Sequence, residues 1–396
     1  MADDCRKPFQ AEFKRMPLPR VRPGSDFGLD SITAAPVLHP THRKRNNDTM
    51  TGRSGRWNLR MTAKRIGSMG VGLVVATLAV LMIVEISYRL QWPDPHRAEF
   101  EKFNPNLESG KKDVSTLLAL GDSFTAGAES WPYNLNSILG EDWRVINAGV
   151  GGTTITHAER IFRLRFRQFQ PDIVVYQTYV GNDLLDLRHP REARGVGVAK
   201  RFYWWLADSG IFAPWYLNHR AAGLAARRPF DPESAAAAVT APFSVDRYSP
   251  RDRRLSRLDP NHVERQILVE GPSMEAAWRR YRGALQRLAE QCRENGADLV
   301  VLVIPHCIQV APVYRERFSA MGARWSDSDL LAHSPSPFVT KVRETLKHQT
   351  SIRVVDLLPV MQHAEKGGVR LYSSNDPHLT PEGSWLVALQ VAVAIR

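Results

Sequence analysis

Ser115-Thr-Leu-Leu-Ala-Leu-Gly-Asp-Ser123 is a short apolar run that stops on a glycine and two small polar residues. A continuous apolar run of this length, flanked by helical patterns, reads as a strand buried on both faces. Four more runs of the same kind follow. Trp143–Asn147 leads into Ala148-Gly-Val-Gly-Gly152, and Asp172–Tyr176 leads into Val180-Gly-Asn-Asp183. Ala297–Ile304 stops at Pro305, and Ile352–Asp356 is the fifth. The segments between them repeat at three and four. Ile155, Ala158, Ile161, Phe162, Phe166 and Phe169 make one apolar face, and Ala277, Tyr281, Ala284, Leu285, Leu288 and Cys292 make another, closed by Asn295-Gly296. A last helix is expected after Thr380-Pro-Glu-Gly383, with proline at its first position. The alternation predicts a three-layer, doubly wound α/β domain on a mainly parallel five-stranded sheet, with ligands at the carboxyl ends of the strands.

Several of those strand ends carry chemistry-bearing residues. Ser123 falls on a strand-to-helix turn, beside a helix N-terminus that favours negative charge. Taken alone it is as well explained as a helix cap. Gly151 and Gly152 let backbone N–H groups approach a ligand, or simply make a tight turn. Asn182 could aim its amide at the same place or cap locally. Asn375-Asp376-Pro377-His378 puts an acid and an imidazole just before the last helix.

Together the blocks are more specific than any of them singly. Gly121-Asp-Ser123, Asn147-x-Gly-x-x-Gly152, Gly181-Asn-Asp183 and the C-terminal Asp/His pair stand in the order found in the SGNH hydrolases, or GDSL-type esterases. The chain resembles that family over about residues 113–190 and 275–396. The resemblance implies a flavodoxin-like fold and a serine esterase. It makes Ser123 the nucleophile, His378 the general base and then acid, and Asp376 the residue that orients the imidazole. The Ser123 N–H, the Gly152 N–H and the Asn182 side chain become the oxyanion hole, Gly149 being the alternative glycine. Two departures from the family pattern stand out. The third block usually has a residue between its glycine and asparagine. The last is usually Asp-x-x-His, whereas Asn375 occupies that position here and Asp376 lies two before the histidine. Asp-x-His also occurs in related polysaccharide O-acetyltransferases.

Charge and hydropathy divide the rest of the chain. Of the formal net charge of +12, +8 lies within residues 1–65, so the basic excess belongs to a tail rather than to a folded surface. That tail is proline-rich and lacks apolar period, and is expected to be disordered and to touch anionic lipid rather than nucleic acid. Residues 66–84 follow without a charge. As a helix they would span about 28 Å, the thickness of a bilayer's hydrocarbon. A buried core helix or a cleaved signal peptide fits less well, the run being too uniformly apolar and lacking a small-x-small site. With Arg60, Lys64 and Arg65 before the span, the tail is expected in the cytoplasm, and the bulk of the chain beyond a bacterial inner membrane, in the periplasm or outside the cell. Met50 and Met61 are alternative starts to Met1. Residues 85–112 read as a polar stalk and 113–396 as the hydrolase-like domain.

Residues 186–273 form an insertion containing Phe202-Tyr-Trp-Trp205, Trp215 and Tyr216. These aromatics suit either sugar stacking in a lid or the core of a small subdomain. No metal-ligand spacing or phosphate loop occurs, so neither metal nor cofactor is expected. Cys292 and Cys307 are candidates for a disulfide, and His157 and His306 are expected to be incidental. The functional expectation is ester hydrolysis on an acylated carbohydrate or other ester substrate of the cell envelope, acetyl groups among the acyl groups removed. An O-acyltransferase with the same acyl-enzyme, and a non-catalytic envelope scaffold or glycan-binding protein, are the alternatives.

Overall fold

The computed structural model describes residues 71–87, 94, 96–105, 107, 114–127, 129–187, 241–349 and 351–396. Five strands, β1 (Ser115–Leu120), β2 (Trp143–Asn147), β3 (Ile173–Tyr179), β4 (Asp298–Ile304) and β5 (Arg353–Asp356), form one sheet in the order β2-β1-β3-β4-β5. Every pairing is parallel; Leu117 lies beside Val145 on one side and Ile173 on the other. β1 is therefore flanked by the two strands that follow it, and the winding direction reverses between β1 and β3. A crevice opens at the carboxyl ends of strands at such a point.

Beyond residue 94 the first helices are α1 (Arg97–Phe103), α2 (Trp131–Leu139), α3 (Ile155–Phe169), α4 (Asp183–Leu187) and, among the described residues, α5 (Pro250–Leu258). Later in the chain come α6 (His262–Leu268), α7 (Pro272–Glu294), α8 (Cys307–Val310), α9 (Pro312–Ala320), α10 (Ser328–Ala332), α11 (Pro337–Leu346), α12 (Leu358–Lys366) and α13 (Pro381–Ile395). α7 packs on α3, α4 and β4, and α13 packs on α2, β4 and β5. The sheet is thus covered by helices, which is why its strands are apolar on both sides. Leu117, Leu118, Leu120, Val174, Val175, Val300 and Leu302 are fully buried, each side chain contributing roughly 1.5–3 kcal/mol by leaving water.

β3 runs past the expected end at Tyr176 to Tyr179. Its continuation, Gln177-Thr178, is polar but buried, and both side chains have partners inside the domain. An apolar-run criterion stops too early there because a hydrogen-bonded polar side chain is nearly as compatible with the interior.

The stretch 85–112, expected as a stalk, is in part packed on the domain. Phe100 of α1 is buried against Phe169. Arg165 lies over the Phe100 ring and pairs with Asp94 at 2.7 Å. Asn104 exchanges two hydrogen bonds with the backbone of Asn147, at 2.8 and 2.9 Å. The candidate disulfide is absent: Cys292 and Cys307 are buried free thiols.

Residues 71–87 are helical, with Val71, Leu73, Val74, Leu78, Met82 and Ile83 exposed. Among the described residues no helix is long and apolar enough to cross a membrane. The tail, the first five residues of the expected span, and the aromatics at 202–205 and 215–216 all lie outside the described residues.

Candidate active site

The turn after β1 is tied down by Asp122. Its carbonyl accepts from the Thr125 and Ala126 N–H groups at 3.1 and 2.9 Å, and its side chain accepts from the Phe124 N–H at 3.0 Å. Ser123 is thereby held at the rim, one residue beyond a buried carboxylate.

His378 arrives from the opposite end of the chain, on a loop closed in several places. Tyr372 bridges to Leu379, the Ser373 N–H donates to the His378 carbonyl at 3.0 Å, and the Thr380 N–H donates to the Leu371 carbonyl at 2.9 Å. Thr380 also caps α13, accepting from the Gly383 N–H at 3.1 Å. Beneath the loop, the Glu365 carboxylate accepts from the Leu371 N–H at 2.7 Å and from Tyr314.

These two constructions bring Ser123 Oγ and His378 Nε2 to 2.8 Å. The other ring nitrogen, Nδ1, hydrogen-bonds the Asp376 carboxylate, which also accepts from the His378 N–H at 2.8 Å. With Nδ1 protonated toward Asp376, Nε2 presents a lone pair to the serine hydroxyl. Burial lowers the histidine's proton affinity, but the hydrogen bond and charge of Asp376, with the charges of Asp122 and Asp252, outweigh it and hold His378 above its ordinary value. Burial raises Asp376, and the bonds and charge from His378 more than offset this, holding it below the usual carboxylate range.

Asn375 turns away from the imidazole. Its amide oxygen accepts from the Ser244 N–H at 2.8 Å and its nitrogen donates to the Ala241 and Pro242 carbonyls at 3.3 and 3.1 Å. Of the two residues that sequence left as partners for His378, only Asp376 reaches it.

The glycines after β2 differ in use. The Gly149 N–H donates to Asn147 Oδ1 at 3.0 Å. A Cβ on Gly149 would stand 2.5 Å from the Ala126 nitrogen, so glycine there serves the close approach of the two turns. Gly152 has φ +71, a left-handed conformation suited to glycine. Its N–H, like that of Ser123, takes no partner among the described residues. Asn147 itself knits the turns together, donating to the Thr125 and Gly127 carbonyls at 2.9 and 3.1 Å. Asn182, after β3, donates through Nδ2 to Asp122 at 3.0 Å.

Sequence reading gave no site role to Asp122 and Asp183 and did not reach Gln177. Gln177, with its nitrogen toward the carboxylate, donates to Asp122 and to Thr125 Oγ1, each at 2.9 Å. Asp183 is buried and accepts from Thr178, from the Tyr179 N–H at 3.2 Å and from the Tyr176 hydroxyl at 3.4 Å. Burial first, then the charge of Asp122, pushes it well above the usual carboxylate range. Asp122 and Asp183 stand inside the first and third sequence blocks without a role of their own there, and the only signal of Gln177 was polarity at the end of an apolar strand. His306 caps α8, accepting from the Ile308 N–H at 3.3 Å, and burial with the nearby His262 lowers it to about 3. Among the described residues no group of three or more His, Cys, Asp or Glu is placed to hold a metal ion.

The family model for GDSL-like lipases and acylhydrolases matches residues 119–386, a span that contains all of these groups. The chain belongs to the GDSL-like lipase/acylhydrolase family. It is a hydrolase acting on ester bonds. Solved structures similar to this GDSL-like chain include one titled TesA, at 15% identity, covering 71% of this chain and 98% of that one with a TM-score of 0.34. A GDSL-like lipase from Bacteroides thetaiotaomicron is 13% identical, covering 76% and 97% of the two chains, with a TM-score of 0.35. The acetyl xylan esterase AlAXEase is 12% identical, covering 71% and 100%, also with a TM-score of 0.35. Among curated proteins none matches the chain.

Proposed function

We propose that this GDSL-family hydrolase works through a Ser123 acyl-enzyme and removes O-acyl groups, acetyl among them, from a carbohydrate or other ester of the bacterial cell envelope. The observation that carries the reading is the 2.8 Å contact between Ser123 Oγ and His378 Nε2, with Asp376 on the far nitrogen. Ser123 Oγ attacks the ester carbonyl while its proton passes to His378 Nε2. The imidazolium then protonates the leaving alcohol, and the cycle repeats with water as nucleophile. The Ser123 and Gly152 N–H groups and Asn182 Nδ2 receive the oxyanion. One such donor is typically worth about 2.7–4 kcal/mol of barrier.

We infer that residues 66–84 anchor the chain in the inner membrane with the basic tail inside and the site outside the cytoplasm. Supporting this are the uncharged run behind Arg60, Lys64 and Arg65 and the exposed apolar side chains on helical residues 71–87. The test uses the full-length chain purified in detergent. A fluorophosphonate probe is expected to label Ser123, and Ser123→Ala to lose both labelling and turnover of p-nitrophenyl acetate. Turnover that survives this substitution refutes the reading. Adding acceptor sugars separates hydrolysis from transfer: acylated sugar among the products would assign the acyl-enzyme to an O-acyltransferase instead.

A further inference from the structure

We propose that Asp122 is a positioning residue for the oxyanion hole: its buried carboxylate fixes the Asn182 side-chain amide in the orientation that leaves an N–H for the oxyanion. This rests on the reading of Asn182 as an oxyanion donor.

Asn182 Nδ2 donates to Asp122 Oδ2 at 3.0 Å, while Asn182 Oδ1 is buried with no hydrogen-bond partner among the described residues. An amide free to choose its orientation does not leave its oxygen buried and unpaired. Here the alternative is worse. Turning the amide over would set its oxygen against a carboxylate oxygen at the same separation, two acceptors facing each other. The carboxylate therefore decides which end of the amide faces it. An amide nitrogen carries two hydrogens, so one remains after the bond to Asp122.

The carboxylate is itself fixed. Its other oxygen, Oδ1, accepts from the Phe124 N–H at 3.0 Å and from the Gln177 amide at 2.9 Å. Gln177 is oriented in turn by Thr125 Oγ1 and by the Tyr179 N–H, which is shared between its oxygen at 3.3 Å and Asp183 at 3.2 Å. Asp122 is the residue before Ser123, and Gln177 stands on β3, the strand that ends near Asn182. One network therefore sets the serine turn and the amide together, before substrate arrives. Preorganisation of this kind lets a donor stabilise a developing charge without reorganising in the reaction.

Asp122→Asn breaks the logic while keeping the shape. With its oxygen taken by Phe124 and Gln177, the new amide presents nitrogen to Asn182, which must turn its own oxygen inward. The full-length chain is assayed with p-nitrophenyl acetate as Asp122→Asn, Asn182→Ala and the double variant. Asp122→Asn is expected to lower kcat on the order of 100-fold, with KM changed by less than about threefold. In the Asn182→Ala background the same substitution is expected to lower kcat by less than about threefold, since the amide it acts through is gone. A purely structural role would cost the same in both backgrounds. Should Asp122→Asn fail to fold, judged by its melting transition, Gln177→Leu is carried through the same cycle, with the same non-additivity expected. An unchanged kcat in Asp122→Asn, or equal losses with and without Asn182, overturns the proposal while leaving the serine mechanism standing. An unchanged kcat in Asn182→Ala overturns the oxyanion reading and this proposal with it.

Discussion

Asp376→Asn separates the charge of the acid from its geometry. The carboxylate accepts both the His378 backbone N–H, at 2.8 Å, and the ring Nδ1–H. Both bonds fall on Oδ1, so an asparagine that sets its oxygen there keeps the geometry and removes the charge that holds the ring proton on Nδ1 and stabilises the imidazolium. Loss of the buried acid in a serine protease triad lowers kcat by about 10⁴-fold. The Asp376 side chain is 45% exposed, so water partly replaces it and a loss of roughly 10²–10³-fold is expected here. The pH profile supplies the second readout. His378 sits above its ordinary value of 6.5, with Asp376 the main cause that raises it. It must be neutral to act as base, so kcat/KM falls as pH drops through that raised value. Without the carboxylate the histidine's value drops and the acid limb moves to lower pH. The stability contributed by the raised histidine runs the other way: it is present below the unfolded value and lost as pH rises through the folded one. The assay is kcat/KM for p-nitrophenyl acetate between about pH 4.5 and 9. Activity within about threefold of wild type, with an unmoved acid limb, would refute the assignment of Asp376 as the imidazole's partner.

Two further outcomes test the surrounding architecture. Asn375→Ala removes the bonds that tie the His378 loop to residues 241–244, leaving the Ser244 N–H and two carbonyls to find other partners. It is expected to lower stability by about 1–3 kcal/mol in urea unfolding without moving the acid limb, and a moved limb would return Asn375 to the site. Gly149→Ala places a methyl 2.5 Å from the Ala126 nitrogen and 2.7 Å from the Thr125 carbonyl carbon, so the serine turn or the glycine turn must shift. A loss of about 1–3 kcal/mol, together with reduced labelling of Ser123 by a fluorophosphonate, is expected, and wild-type values for both would show that the turns are not closely packed.

The features legible in sequence were those encoded by local pattern. β1 and β2 begin and end where their apolar runs do, and β4 and β5 begin one residue inside theirs. Such strands advertise themselves because burial on both faces removes the polar alternation that hides most strands. Ser123, Gly152, Asn182, Asp376 and His378 were also accessible, through the order of the blocks in which the chain resembles the GDSL-type esterases, since each residue alone is as well explained as a cap or a turn. Gln177 and Asp183 were not. A buried polar side chain is recognised by its partner: Gln177 meets Asp122 only through the fold, and Asp183 meets Thr178 across a turn whose shape the residue pattern does not state. Asp94 and Asn104 escaped for a related reason: the stretch around them is polar in composition, and only the Asn104–Asn147 and Asp94–Arg165 pairs reveal that they pack on the domain.

By itself, the chain's sequence determined the doubly wound architecture, the concentration of positive charge before an uncharged run, and the blocks of small polar residues and glycine by which it resembles its family. Those are properties of composition and spacing along one dimension. The tertiary structure alone decided which acid serves the histidine, which backbone N–H groups stay unpaired, and which way the Asn182 amide faces. Each of those depends on hydrogen bonds within or between loops that converge at the sheet rim, some from opposite ends of the chain, where directions matter as much as distances.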